Sequence, residues 1–305
     1  MKIVSHNLEF LFEEGVHSHS RKNWVYSKEF ANARVNHFAK LFSELDADVV
    51  LLQEVASKIM IERIIEKSGI HYHYFIATPD SNGVGNAILY KDSNAECQSV
   101  PAVAGLPVFI DGDIDVIGPR IYPRRDFAQL TTTYHGKKLH LISIHIKANF
   151  LMPKKNDTGD EMPMDTQISA ADGRIRSEFF RMSQAKKVRE MVDDFFVNDP
   201  DALVLVGGDF NAEEHSPILR IIGGEITEAS DHLFSACQKV ELEKRYSSIT
   251  KNRTRLLDHF LISKALVENI IKINILNDNL SDYEVIEPNP TAVMSDHAPI
   301  VIEFI

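Results

Sequence analysis

Two cysteines, Cys97 and Cys237, are all that 305 residues contain. They allow at most one bridge, which excludes a disulfide framework and a cysteine zinc site. No stretch approaches the roughly 18 consecutive apolar residues of a membrane-spanning helix. The start, Met1-Lys2-Ile3-Val4-Ser5-His6-Asn7, lacks the apolar region of a secretory leader. The expectation is a cytoplasmic protein, or a secreted one whose leader has been removed. A surplus of positive charge is missing too: 33 basic residues stand against 44 acidic ones, a net charge of −11 with His neutral. That excludes loose, charge-driven attraction to nucleic acid or anionic membranes. It leaves room for an enzyme that engages phosphate through a few local cations and a metal. Internal repeats and low-complexity blocks are also absent. What is there is 44% hydrophobic and 25% charged, the composition of a folded globular chain. The length admits two domains of about 150 residues or one large α/β domain.

Residues 2–10 begin as an apolar strand that turns polar at His6 and Asn7. Residues 28–45 place Phe30, Val35, Phe38, Leu41, Phe42 and Leu45 at helical spacing and stop at Asp46-Ala47-Asp48. Val49-Val50-Leu51-Leu52 is an unbroken apolar run of strand length, the kind buried on both faces, and it ends at Gln53-Glu54. Residues 57–68 predict a short amphipathic helix. Strands are predicted over 72–77, 85–90, 127–134 and 139–146, with His135-Gly136-Lys137-Lys138 as a hairpin turn. Residues 101–123, which hold Pro101, Gly105, Pro107, Gly112, Gly118, Pro119 and Pro123, read as loop and edge structure. Residues 148–173 are rich in Met, Asp, Pro and Lys, have no period, and read as a long mobile insertion. A helix is expected from about 174 to 196. Later strands fall at 203–206, before Gly207-Gly208-Asp209, and at 256–262 and 301–305.

Apolar strands repeatedly end in polar residues: Asn7, Glu54, His145, Asp209, Asp258 and Asp296-His297. A layered α/β sheet can gather such ends on one rim. Glu54 offers a carboxylate to a hard divalent cation, although alone it also reads as an exposed acid on a loop. In Gly207-Gly208-Asp209-Phe210-Asn211 the glycines allow a tight exit from the strand. Asp209 and Asn211, two apart, share one side if extended and can orient a water or bind a metal. The alternative is a turn whose Asx side chains cap their own backbone. Alternation in Ser143-Ile144-His145-Ile146-Lys147 puts Ser143, His145 and Lys147 on one face, where imidazole beside ammonium suits an anion. A solvated strand face is the bland alternative. Met294-Ser295-Asp296-His297-Ala298-Pro299 supplies a vicinal Asp-His, one for a metal and one for proton transfer, with Asp258 as the candidate to orient the His297 ring. Arg125, in Arg124-Arg125-Asp126, can grip phosphate or carboxylate with two N–H groups, or pair with Asp126 on the surface. Ser230-Asp231-His232 repeats the tripeptide without a following Pro and final strand. His259 points away from the Asp258 face and reads as structural. His17 with His19, and His71 with His73, read as loop or exposed-strand residues and not as chelators.

Taken in order, several motifs resemble the endonuclease/exonuclease/phosphatase superfamily, the metal-dependent fold of DNase I. They are a strand ending in Asn7, Leu-Leu-Gln-Glu at 51–54, Gly-Asn-Ala-Ile-Leu at 85–89 and Arg125. Then come Ser-Ile-His at 143–145, Gly-Asp-Phe-Asn at 208–211, Leu-Asp-His at 257–259 and Ser-Asp-His-Ala-Pro at 295–299. The likeness covers residues 2–305. It implies an α/β (α+β) four-layer sandwich, two packed, mostly antiparallel β-sheets flanked by helices, as a single domain over 1–305. It implies phosphoester hydrolysis with Mg²⁺ or Mn²⁺, with Ca²⁺ as a third option. Carried over by motif, Glu54 is the principal metal ligand, with Asn7 and Asp296 beside it. Asp209 and Asn211 orient the attacking water. His297, paired with Asp258, binds the scissile phosphate and handles protons, and His145 contacts the phosphate. Arg125, Lys147 and Asn7 are the phosphate-binding set. The likeness also implies a carboxylate partner for His145 from an earlier loop, which the sequence does not identify.

Ile-His-Ile-Lys at 144–147, an insertion, then Arg181 and Gln184-Ala185 on a helix is similar to bacterial predicted nucleases of that superfamily. The expected function is therefore a metal-dependent phosphodiester hydrolase, a nuclease cleaving DNA or RNA by in-line attack of water, acting as a monomer. The acidic net charge favours an alternative, a phosphomonoesterase or a lipid- or inositol-phosphate phosphodiesterase. A catalytically inactive binding module would require lost ligands, and Glu54, Asp209, Asn211, His145, Asp258 and His297 are all present.

Overall fold

A computed structural model describes residues 1–18, 24–103, 125–156, 158, 160–282 and 293–305, with the side chains of His17, Ser18 and Trp24 left aside. In chain order its elements are β1 (Lys2–Leu11), β2 (His17–Ser18), β3 (Trp24–Val25), α1 (Lys28–Leu45), β4 (Val49–Val55), α2 (Lys58–Ser68), β5 (His73–Ile76), β6 (Gly85–Tyr90), β7 (Glu96–Val100), β8 (Phe127–Tyr134) and β9 (Lys137–His145). There follow α3 (Gln167–Asn198), β10 (Leu203–Asp209), α4 (Pro217–Gly223), β11 (Leu233–Ser235), β12 (Ser248–Thr250), β13 (Arg253–Arg255), β14 (Asp258–Ser263), α5 (Lys264–Val267), β15 (Ile270–Ile275) and β16 (Ile300–Phe304).

Two six-stranded sheets result, in the orders β15-β16-β1-β4-β6-β5 and β11-β14-β10-β9-β8-β7. Each holds one parallel pair at its centre, β1 with β4 and β9 with β10, and every other pairing is antiparallel. The apolar runs 49–52 and 203–206 form those central strands because both of their faces are covered. Inward, Ile3, Leu51 and Ile88 of one sheet share a buried cluster with Leu130, Leu141, Leu205 and Phe260 of the other. Outward, Val4, Val50 and Leu52 pack with Phe38 and Phe42 of α1 and Ile61 and Ile64 of α2. Ile142, Ile144, Val204 and Val206 pack with Ala185, Val188 and Val192 of α3 and Ile218 and Ile222 of α4. These are the four layers expected. Each fully buried side chain of this kind contributes roughly 1.5–3 kcal/mol of transfer energy, which holds the two sheets face to face. Among the described residues no helix is long and apolar enough to cross a membrane.

Three local expectations need correction. The β8–β9 turn is two residues, His135 and Gly136, both at positive φ (48° and 76°), and Lys137 and Lys138 already belong to β9. The helix α3 starts at Gln167, not near 174, capped by reciprocal bonds between Thr166 and Ser169. Gly173 lies inside it, where a Cβ would come 2.6 Å from Met164 Sδ, so this glycine seats the preceding segment on the helix. That segment is stitched down: Met152 N–H donates to Gly173 O (3.0 Å), Arg176 Nε to Met152 O (2.9 Å) and Ser177 Oγ to Phe150 O (2.7 Å). Arg176 is buried against that segment, and the exposed Arg174 donates to Asn149 and pairs with Glu178. The predicted loop at 101–123 falls, from residue 104 on, outside the described residues, as does Arg124.

Candidate active site

Register brings the strand ends together. In β9, β10 and β14, Asp209 pairs across with His145 on one side and with Asp258 on the other. Three residues far apart in sequence thus stand in one transverse row at the rim. The glycines before Asp209 are strand residues and do not form an exit turn. A Cβ on Gly207 would meet the Phe260 ring at 2.6 Å and Leu51 at 2.8 Å, and one on Gly208 (φ 143°) would lie 2.0 Å from Ile144 O. Only glycine lets the neighbouring strand and the opposite sheet close on β10 here.

The other sheet contributes Asn7 and Glu54. Strands β1 and β4 run in register to Asn7–Gln53 and resume at Leu11–Val55, so β1 carries three residues in the interval and β4 one. The slip is absorbed by left-handed backbone at Glu9 (φ 47°), Phe10 (φ 52°) and Glu54 (φ 58°). Such a bulge re-aims a side chain. Gln53, on the same face as Leu51, lies between the sheets by ordinary alternation, and its amide donates to Ser143 Oγ (3.0 Å). Glu54 is turned to the rim, its Oε2 accepting from Phe10 N–H (3.0 Å).

Asp209 Oδ2 is the centre of the cluster. The amide nitrogens of Asn7 and Asn211 each donate to it at 3.0 Å, His145 Nε2 lies 3.4 Å away and His297 Nε2 3.9 Å away. Asn7 also donates to Glu54 Oε1 (3.3 Å), which sits 3.8 Å from His145 Nε2. The Asn7 oxygen accepts from Glu9 N–H (2.9 Å), while its amide nitrogen links the two carboxylates as a donor. His297 Nδ1 is 2.6 Å from Asp258 Oδ2. Its backbone is held by Ser295 Oγ (3.1 Å), which donates in turn to Asn7 O (2.6 Å), while Asp296 N–H donates to Glu9 Oε2 (3.2 Å). Asn211 reaches Asp209 by a left-handed turn (φ 48°), its own N–H donating to Asp209 Oδ1 (2.8 Å), and not by sharing one side of an extended segment. The turn reading of this motif holds, and it brings the Asn211 amide onto Asp209.

Burial governs most of the charges. It pushes the Glu54 carboxyl up, opposed by Arg125. It pushes Asp209 up to about 7, with His297 opposing and Asp258 and Glu54 adding to the rise. At His297 burial disfavours the cation, yet Asp258, Asp209 and Asp296 together prevail and hold its pKa well above 6.5. His145 goes well below 6.5, through burial and then the repulsion of Arg125 and His297.

Some expected members stand elsewhere. Strand β9 ends at His145, so Lys147 leaves the predicted shared face. Its ammonium donates to the carbonyls of Ala148 and Phe150 (2.8 Å each) and to Ser177 Oγ (2.9 Å). Ser143 is buried between the sheets and donates to Leu52 O (3.3 Å). Arg125 is at the site but engaged: NH1 lies 2.7 Å from His145 Nδ1 and NH2 donates to Asp80 Oδ2 (3.3 Å), while Asp126 accepts from Ser99 instead. Asp80 is thus the loop carboxylate associated with His145, acting through an arginine. The sequence hid it in Pro79-Asp80-Ser81-Asn82-Gly83, a turn signal that it also satisfies by accepting from Asn82 and Val84 N–H groups. Glu9 was missed because strand alternation does not foresee a bulge. Arg181 and Gln184 of α3 hold the chain beyond the strand ends, through Asn211 O (3.0 Å) and Lys147 N–H (2.9 Å). The lookalikes stay apart: His232 Nδ1 bonds Gly224 O, Asp231 pairs with Arg189, and His259 Nε2 donates to Ala212 O. The His71 and His73 rings meet edge to face, their centroids 5.5 Å apart, and His19 and the His17 side chain lie outside the described residues.

The donor set suits a hard divalent cation. Asp209, Asp258 and His297 present ligand atoms within 4.8 Å of one another. Asp258 Oδ1 is buried with no hydrogen-bond partner, and Glu54, Asp296 and Glu9 add further carboxylates. So many buried carboxylates beside few cations call for a metal.

The family model described as Endonuclease/Exonuclease/phosphatase family matches residues 4–297. Three solved structures share the fold. The D. rerio TDP2 complexed with single strand DNA product is 16% identical (TM-score 0.57; 99% of this chain and 97% of that one). A mannosyl-6-phosphatase of Bacteroides thetaiotaomicron is 16% identical (TM-score 0.61; 100% and 99%). The human Nocturnin catalytic domain with bound sulfate anion is 14% identical (TM-score 0.60; 100% and 94%). No curated protein sequence matches the chain. At such identities the solved structures speak for the fold alone.

Proposed function

The chain belongs to the endonuclease/exonuclease/phosphatase family of metal-dependent phosphoesterases, and on that premise we propose that it is a divalent-metal-dependent nuclease. The observation that carries the reading is the row His145–Asp209–Asp258 with His297 closing on Asp209 from the far side. Glu54 and Asp296 would hold Mg²⁺ or Mn²⁺, with Asn7 steadying Glu54. When bound, the ion stabilises negative charge on a phosphoryl oxygen and makes a bound water more acidic. Asp209, poised near neutrality and braced by Asn211, orients a water and accepts its proton. His297, kept protonated by Asp258, donates Nε2–H to the phosphate as charge builds there. His145 Nε2 faces the same space.

A small phosphoester is the second reading. The net charge of −11, with Arg125 engaged by His145 and Asp80 and the Lys147 ammonium by backbone carbonyls, weighs against a long polyanion. A substrate panel with Mg²⁺, Mn²⁺ or EDTA decides: plasmid DNA, single strands, RNA, bis-p-nitrophenyl phosphate and inositol phosphates. The nuclease reading expects EDTA-sensitive cleavage of polynucleotide well above the rate on monoesters. Preference for a monoester selects the second reading, and no metal-dependent turnover of any substrate overturns both.

A further inference from the structure

We propose that Asp80 and Arg125 are a positioning pair that places the ring hydrogen of His145 on Nε2, facing Asp209, and keeps Nδ1 as a lone-pair acceptor. The inference rests on the reading of His145 as part of the site and assigns it a single role, hydrogen-bond donor to the phosphoryl group. A guanidinium carries N–H donors and no acceptor. With Arg125 NH1 at 2.7 Å, Nδ1 of His145 must accept, so the one hydrogen of the ring sits on Nε2. There it points at oxygens, Asp209 Oδ2 at 3.4 Å and Glu54 Oε1 at 3.8 Å, in the space where a phosphate would enter.

Arg125 is held from both ends. Its second nitrogen binds Asp80 Oδ2 (3.3 Å), and Asp80 is locked by the N–H groups of Asn82 (2.9 Å) and Val84 (3.1 Å) on its other oxygen. Behind it, Asp126 N–H donates to Thr78 O (3.0 Å), and Asn86 of β6 donates to Asp126 O (2.7 Å). A planar fork can serve Asp80 and His145 at once, and an ammonium cannot hold both with the same geometry. A carboxylate placed directly on the ring, as at His297, would instead draw a hydrogen to Nδ1. The interposed arginine reverses that preference, which is what separates this histidine from the pairing the family resemblance implies.

The test is nitrogen-15 NMR of the histidine rings in the full chain, with and without Mg²⁺, the His145 signals being identified by their loss in His145→Gln. The expected wild-type pattern is a protonated Nε2 and a bare Nδ1. In Arg125→Gln the signals should move toward the Nδ1–H form or an exchanging average. Turnover number on the best substrate of the panel should fall about tenfold, the worth of one well-placed hydrogen bond, with KM within about threefold. Asp80→Asn should do the same more weakly, and Arg125→Lys should keep part of the wild-type pattern. A wild-type His145 with hydrogen on Nδ1 overturns the proposal outright, and needs no variant to fold. So does an unchanged tautomer in Arg125→Gln with only KM raised, which makes Arg125 a direct phosphate contact. The ring signals are read without substrate, so this result and the nuclease reading fail separately.

Discussion

Two imidazoles face one oxygen from opposite flanks, His145 Nε2 at 3.4 Å and His297 Nε2 at 3.9 Å from Asp209 Oδ2, and they carry opposite charge tendencies. Both rings are buried, and burial works against the cation in each. What differs is the group behind the ring: a carboxylate, Asp258, at His297 and a guanidinium, Arg125, at His145. At equal burial the charged neighbours decide the direction: Asp258, Asp209 and Asp296 together favour the cation at His297, while Arg125 and His297 itself oppose it at His145.

The largest effect should come from removing the carboxylate expected to hold the metal. Glu54→Ala takes away the carboxylate beside His145 and Asn7, and metal-dependent turnover should fall by about 10³ or more. The melting temperature should hardly drop, since a buried carboxyl with a raised pKa is relieved. Rate assays beside thermal melts check this, and full activity of the variant under Mg²⁺ would refute the assignment.

Next is the cationic flank alone. His297→Ala and Asp258→Ala should each lower turnover by about 10²–10³, and the double variant should lose far less than the product, because the two act as one unit. Strictly multiplicative losses would uncouple the pair.

Smaller effects should appear in stability against pH, with opposite signs for the two kinds of histidine. His297 has a folded pKa above its unfolded 6.5, so its contribution is complete below 6.5 and disappears as pH rises through the folded value. Asp258→Asn should therefore cost more melting temperature at pH 6 than at pH 9. His6, whose Nε2 bonds His297 O, is pushed by burial down to about 3, so its contribution is complete above 6.5 and is lost as pH falls toward 3. His6→Gln should flatten the acid side of the melting curve between pH 6.5 and 4. Identical pH profiles in wild type and both variants would remove the contrast.

The smallest effect belongs to the lookalike. His232→Ala, in Ser230-Asp231-His232, should leave turnover within a few-fold of wild type, since its ring bonds Gly224 O and Asp231 pairs with Arg189. A loss as deep as that of His297→Ala would show that the tripeptide, and not its place on the rim, carries the chemistry.

Much of the frame was legible in the chain. Unbroken apolar runs at 49–52 and 203–206 announced strands covered on both faces, and α1 and β6 fall at the residues that periodicity indicated. The polar residues predicted at strand ends do gather on one rim: Asn7 and His145 at Asp209 Oδ2, Glu54 against Asn7, and Asp258 across from Asp209. Period-based reading failed where the backbone leaves its period. The bulge at Glu9 and Phe10, the left-handed Asn211, and the end of β9 before Lys147 each redirect a side chain that alternation had placed otherwise. The α3 start was obscured by Gly173, whose missing side chain suits a packing contact invisible in one dimension.

Composition and pattern, then, determined by themselves the strand-rich layered fold and which residue types stand at the strand ends, because burial of apolar surface is dictated by the chain's own periodicity. Which of those residues donate, accept or carry charge was decided only by the tertiary structure. The group behind His145 arrives from 20 residues away, and the one behind Arg125 from another 45. A proton's position depends on distance through space to such neighbours in a poorly solvated interior, and that distance exists only once the two sheets have closed.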